Sequence, residues 1–284
     1  MPDHDTPDLP DGDGTGPGAD RATLAGSFGG VASHYERFRP GPPQAAVDWY
    51  LPARVDRVVD LGAGTGALTR LLVDRADEVV AVEPDDRMRA VLADEVPGAL
   101  ARRGTGESLP VADGSADAVI ASTSWHWMDP DATLAEVARV LIPGGRLGAL
   151  WTGADPDGTF LAEARRQMAG PRTDGTSQGG ELIDLVEGTI GRNDHRLVIP
   201  EDSPFEPPEH EVFTWDIALD ADELIGLLGT FSWVITLPDD SRNRVLDQAR
   251  QLLVAFGITG ATTVDVAWRT DAWRTRLRSS GGRA

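Results

Sequence analysis

VVDLGAGTGALTRLL, Val58 to Leu72, decides the fold. An apolar run stops at Asp60, breaks over Gly62, Gly64 and Gly66, and resumes with Leu68, Leu71 and Leu72 at helical spacing. That order predicts a strand, a tight turn and a helix. Glycine at alternate positions lets the backbone turn sharply and approach a ligand closely, while the helix behind presents its N-terminus. The layout is that of a nucleotide site.

Outward from this segment, strands and helices alternate. Val55 to Leu61 is the first predicted strand, Gly66 to Asp74 a helix, and Glu78 to Glu83 the second strand. Met88, Val91 and Leu92 then stand at helical spacing, and ALARRGT carries a short third strand. Ala116 to Ser122 is the fourth strand, buried along its length. Pro130 to Leu141 is a helix with Asp129 as N-cap and Pro130 at the first helical position. Pro143, Gly144 and Gly145 close a turn before a fifth strand, Arg146 to Trp151. Such alternation implies a parallel sheet with helices on both faces. In that architecture the ligand lies across the carboxyl ends of the strands. The rule selects Asp60 to Gly66, Glu83, the loop before Ser108, and Ser122 to Met128.

Composition narrows the chemistry. The chain has 284 residues, enough for one α/β domain with additions. Its 26 basic residues, all Arg, face 46 acids for a net charge of −20, which opposes approach to a phosphate backbone and argues against a nucleic-acid partner. With no Cys there are no thiolate nucleophiles, cysteine-ligated metals or disulfides. With no Lys there is no Schiff base and no Walker lysine. The opening twenty residues hold six Asp and no Arg among Pro and Gly, so residues 1–22 are expected to form a disordered acidic tail. That tail lacks the basic start and apolar centre of a secretory signal. The apolar stretch Leu224 to Leu237 is shorter than the ~18 residues of a membrane span. A cytoplasmic protein without membrane contact is expected.

The glycine loop admits two cofactors. Gly62, Gly64 and Ala67 also fit the dinucleotide pattern G-x-G-x-x-G/A, with Glu83 about twenty residues on, where a ribose-binding acid belongs. Asp60 separates the two. A pyrophosphate beside that carboxylate meets like charge, whereas the amino group and sulfonium of S-adenosylmethionine are cationic and favoured there.

VVDLGAGTG followed by VVAVEP resembles the first two motifs of the Rossmann-like, class I S-adenosylmethionine-dependent methyltransferases. GTGESLPVADGSADAVIASTSWHWMD and LIPGGRLGALW resemble later motifs of their small-molecule branch, which includes trans-aconitate and ubiquinone/menaquinone methyltransferase relatives. The likeness runs in order from about Phe28 to Trp151, with a fainter echo in LIGLLGTFSWVITLP and VDVAWRTDAWR. It implies a doubly wound, mostly parallel seven-stranded sheet with an antiparallel edge and an inserted cap. The implied organisation is one domain over residues 23–284: cap helices in 23–54, a cofactor core in 55–151, an insert or lid in 152–210 around a helix from Thr159 to Met168, and the last strands and helices in 211–276. In that last part EVFTWDIAL and TTVDVAWRT are the strands, with helices Asp222 to Leu228 and Asp240 to Phe256 between them.

The resemblance implies that Asp60 with the loop Gly62, Ala63 and Gly64 holds the amino-acid part of S-adenosylmethionine, and that Glu83, followed by Pro84, accepts both ribose hydroxyls. Met88 matches the apolar residue packed on adenine. Relatives often have Asp where Thr105 stands, and the backbone of Gly106 and Glu107 is placed to pair with the ring. Glu107 has an equal reading as a helix-capping acid. Ser122 and Thr123 complete the expected cofactor set. Tyr35 and Arg39 match a segment that folds over the cofactor, with Arg39 paired to its carboxylate. Pro42 replaces an aromatic residue common there, and Tyr35 with Phe38 also suits one buried helix face.

Methyl transfer from a sulfonium needs alignment and exclusion of water rather than a covalent enzyme intermediate. An acceptor that carries a proton also needs a base. His126, in STSWHWMD, is the candidate for base or substrate-orienting donor, against a purely structural histidine between Trp125 and Trp127. Trp125, Trp127 and Trp151 stand at strand mouths, as acceptor-pocket walls or as core wedges. His195, His210 and His4 have no companion at metal-ligand spacing, and no metal is expected. Two competing readings share the crevice: an NAD(P)-dependent oxidoreductase and a non-catalytic S-adenosylmethionine-binding module.

Overall fold

A computed structural model describes residues 40–155, 195–230 and 232–279, together with residues 38, 157–159 and 162. The acidic tail, Tyr35, Arg39 and most of the helix expected from Thr159 to Met168 lie outside the described residues.

The elements are α1 (Gln44–Tyr50), β1 (Val55–Leu61), α2 (Thr69–Leu72), β2 (Ala76–Val82), α3 (Asp86–Glu95), β3 (Leu100–Arg102), β4 (Ala116–Ser122), α4 (Pro130–Val140), β5 (Leu141–Ala154), β6 (Glu209–Leu219), α5 (Ala221–Leu228), α6 (Ser232–Ile235), α7 (Asp239–Ala255) and β7 (Val264–Arg276). They form one seven-stranded sheet in the order β3-β2-β1-β4-β5-β7-β6. The first five strands run parallel, and β7 is antiparallel to both β5 and β6. The parallel part is the sheet that the strand–helix alternation predicts, and the antiparallel edge is the one that the family resemblance implies.

Successive side chains of a strand point to opposite faces, so a parallel sheet covered on both sides needs apolar residues at nearly every position. Here Val59, Val119 and Ala149 pack on one face with Leu134, Val137 and Val140 of α4. Val58, Ile120 and Leu150 pack on the other with Val47 and Tyr50 of α1 and Leu68 and Leu72 by α2. Tyr50 is fully buried, its hydroxyl donates to the Val119 carbonyl at 2.9 Å, and its ring fills the space where a Cβ on Gly148 would stand, 2.2 Å away.

Three expectations need correction. The helix after the glycine loop is regular only from Thr69 to Leu72, not from Gly66, because Gly66 has φ +100° and cannot occupy a helical turn. Pro143, Gly144 and Gly145 do not separate a turn from a strand but lie inside β5, which starts at Leu141. Leu141 pairs with Ala116 and Arg146 with Ala118, so the intervening residues bulge from the ladder. The bulge is tied down by Gly144 N–H donating to Leu277 O (3.1 Å) and Leu277 N–H donating to Gly145 O (2.8 Å). β7 also runs on to Arg276, beyond the predicted TTVDVAWRT, because it pairs with strands on both sides. Among the described residues no helix is long and apolar enough to cross a membrane.

Candidate functional site

The carboxyl ends of β1, β2, β4 and β5 bring three groups together. The first is the glycine loop. Gly62 and Ala63 donate their amides to Val82 O, at 2.9 and 3.0 Å, which lashes the loop to the end of β2. Gly62 and Gly64 have φ of +69° and +57°, the left-handed region that side-chained residues avoid. The two glycines differ in surroundings. A Cβ on Gly62 would stand 2.5 Å from the Cβ of Ser124, whereas one on Gly64 meets only Met88 Sδ at 3.9 Å. Gly62 is therefore required by packing, and Gly64 keeps backbone open.

Two carboxylates flank this loop. Glu83 is buried, with one oxygen accepting Gly64 N–H and the other Asp85 N–H, both at 2.9 Å. Burial raises its pKa, against the pull of these two amides. Asp60 has no exposed surface. One of its oxygens accepts the Thr69 hydroxyl at 2.6 Å, and the other is buried without a partner. Burial is the main cause that pushes its pKa to about 7, the Thr69 bond working against it and the Glu83 charge adding to it. A buried carboxylate oxygen without a protein donor is suited to accept from a cationic ligand. Pro84 is exposed next to Glu83, and Asp85 caps α3 by accepting from Arg87 and Met88 amides. The cap places buried Met88 beside Gly64.

The second group is the turn at residues 105–108, closed by reciprocal backbone bonds between Thr105 and Ser108. Glu107 is exposed and sits at the start of α4, as its helix-capping reading expects. It accepts Asp129 N–H at 2.8 Å, and although burial raises its pKa, that amide and the Thr105 hydroxyl outweigh it and hold the carboxyl low. Met128 bridges this turn to the glycine loop: its Sδ is 2.6 Å from a Cβ on Gly106 and its Cε 3.3 Å from one on Gly62. Ser124 supports the same junction by donating to Leu61 O at 2.7 Å. Neither Ser124 nor Met128 stood out in the sequence, although both flank the WHW run. Ser122 ends β4 opposite Leu150, and Thr123 follows with φ +52°, a strained conformation for a β-branched residue of the kind that collects at functional sites.

The third group lies past Thr123, where Trp125–Trp127 forms a 3-10 turn. Trp125 is buried in the main core. His126 accepts the indole N–H of Trp151 on Nδ1 at 3.2 Å. No local pattern joins His195 to this group, but it stacks on Trp151 (rings 5.3 Å apart, 5° between planes) and lies 5.0 Å from the His126 ring. His210 is elsewhere, bonded to Asp271 and stacked on Trp273. Among the described residues no group of three or more His, Asp or Glu is placed to hold a metal.

A family model described as a methyltransferase domain matches residues 59–149, the span that holds the glycine loop, the turn at 105–108 and the Ser122–Met128 loop. An uncharacterized methyltransferase of Mycobacterium tuberculosis is 41% identical over 233 residues, 82% of this chain and 88% of its own length. An uncharacterized methyltransferase-like protein of Schizosaccharomyces pombe is 27% identical over 217 residues, covering 74% of this chain and 79% of its own. A solved protein from Anaeromyxobacter dehalogenans, assigned to the type II methyltransferases, has the same fold with TM-score 0.59 at 23% identity, over 85% of this chain and 99% of that one.

Proposed function

The chain belongs to the class I S-adenosylmethionine-dependent methyltransferases, and on that premise we propose that it methylates a small molecule held at the His126, Trp151 and His195 group. Its cofactor is S-adenosylmethionine, which supplies an electrophilic methyl on a ready leaving group. Enzyme status and cofactor displace the oxidoreductase and the non-catalytic module as readings of the crevice.

The residues present fit that cofactor. The observation that carries the assignment is the pair of buried acids: Asp60 with an unpartnered oxygen, and Glu83 with both oxygens pinned by amides on either side of Gly64. Asp60 and the loop Gly62, Ala63 and Gly64 hold the cationic amino-acid end. Each Glu83 oxygen keeps a lone pair for one ribose hydroxyl. Met88 and Pro84 flank the base, which the backbone of Thr105, Gly106 and Glu107 borders, and Ser122 and Thr123 floor the crevice.

A small acceptor is supported by the net charge of −20, which disfavours nucleic acid, and by the Trp127 and Trp151 rings beside His126. Alignment and exclusion of water supply most of the rate in such a site. Titration calorimetry with S-adenosylmethionine against NAD tests the cofactor assignment. A screen for S-adenosylhomocysteine release over phenols, carboxylic acids and amines, with protein and RNA as counter-acceptors, tests the acceptor class. Release with the macromolecules alone would refute it.

A further inference from the structure

The acceptor end of the site holds two imidazoles rather than one. An indole N–H donates and never accepts, so Nδ1 of His126, bonded to Trp151 Nε1, is the unprotonated nitrogen and the neutral ring carries its proton on Nε2. His126 gains a proton on Nδ1 only by giving up the Trp151 bond, and its Nε2 is already occupied. That arrangement suits a donor and handicaps a base. His195 stacks on the face of the same Trp151 indole, its ring parallel to it, and its ring centroid lies 5.0 Å from that of His126.

The charged surroundings of His195 favour the complementary role. Burial is the larger influence and lowers its pKa, so that the ring is neutral near neutral pH, while the charge of Asp271 on β7 pulls the other way. That carboxylate is itself forked by Arg269 (2.8 Å to each oxygen) and bonded to His210 at 3.0 Å. The ring is therefore free of a proton before the step, and a fixed anion nearby favours the imidazolium that results.

Resting on the methyl-transfer reading above, we propose that the two rings divide the proton work: His126, held by Trp151, orients the acceptor by donating from Nε2, and His195 is the base that takes the acceptor's proton. The acceptor class is a hydroxyl compound with a flat apolar body. Its O–H bond breaks, the electron pair stays on oxygen as the nucleophile, and the proton binds an imidazole nitrogen of His195 before passing to water.

Long-range proton–nitrogen correlation spectra of the full chain labelled with nitrogen-15 histidine, taken from about pH 5 to about pH 8, resolve tautomer and titration of each ring. His126 is expected to show a pyridine-like Nδ1, and a mixture of tautomers in Trp151→Phe, which removes the indole donor. His195 is expected to be neutral at about pH 7.5. A proton on Nδ1 of His126, or a His195 still charged at that pH, overturns the proposal. In the release assay His195→Gln should lower kcat by ~10²–10⁴-fold and remove the acid limb of the pH profile. His126→Gln should raise KM and keep that limb, and the reverse pattern overturns the assignment. Calorimetry with S-adenosylmethionine should be unchanged in both variants. A wild-type chain that fails to bind it refutes the function reading instead, and leaves the spectroscopic result standing.

Discussion

The carboxylate of Glu83 accepts the amide of Gly64 at 2.9 Å, two residues nineteen apart in sequence that join the end of β2 to the loop after β1. The bond means that the acid facing the crevice also sets the shape of the loop beside it. Glu83→Gln places an amide NH₂ against one of the two backbone donors, so loop and ligand contacts fail together. S-adenosylmethionine affinity should fall by ~1–3 kcal/mol, measured by calorimetry. Unchanged affinity would remove Glu83 from the cofactor site.

Asp60 should oppose stability where it serves binding. Its folded pKa, about 7, lies above its ordinary value of 3.8, so the folded chain holds a proton that the unfolded chain releases, and stability falls as pH rises from the lower value through the upper. Asp60→Asn removes this penalty. The variant should melt above wild type at about pH 8, with the gap closing towards about pH 4, while its S-adenosylmethionine affinity is reduced. A melting gap that does not change with pH would contradict the buried charge.

Binding itself should release a proton below about pH 7, because a cationic ligand favours ionised Asp60. Calorimetry at about pH 6 in buffers of different ionisation enthalpy measures that release directly. Equal heats in all buffers would place the cation elsewhere.

The two loop glycines should separate stability from binding. Gly62→Ala drives a methyl to 2.5 Å from Ser124 Cβ at φ +69°, and should cost more than the ~1–2 kcal/mol of left-handed strain alone in a denaturant titration. Gly64→Ala carries only that strain, with 3.9 Å to Met88 Sδ, but on the proposed cofactor placement its methyl meets the ligand. It should fold with little loss and bind S-adenosylmethionine at least tenfold more weakly. Equal effects of both changes on binding and stability would undo the distinction.

Much of this architecture is legible in the chain because parallel strands covered on both faces are apolar along their buried stretches, as at Val58, Val59 and Leu61 and from Ala118 to Ala121. The α4 cap was equally open to reading: Asp129 accepts Ala132 N–H at 2.9 Å, with Pro130 behind it. What the sequence concealed depends on distant partners. Gly144 looks like a turn residue until Leu277 takes its amide, and Gly66 looks like a helix start until its φ is known. His195 had no local pattern at all, since only the folding back of residues 195–199 over β5 sets it on Trp151. Ser124 and Met128 were hidden for a related reason, their importance coming from glycines in other loops whose missing side chains make room for them.

The seating of Tyr50 in the notch left by Gly148 has a bearing on the order in which the chain assembles. α1 emerges first among the described helices, yet its anchoring ring needs a carbonyl from β4, 69 residues later, and a notch in β5 that comes later still, and so long a loop is slow to close. The leading segment must therefore wait for the centre of the sheet, and a nascent chain cut short before Gly148 would carry it undocked.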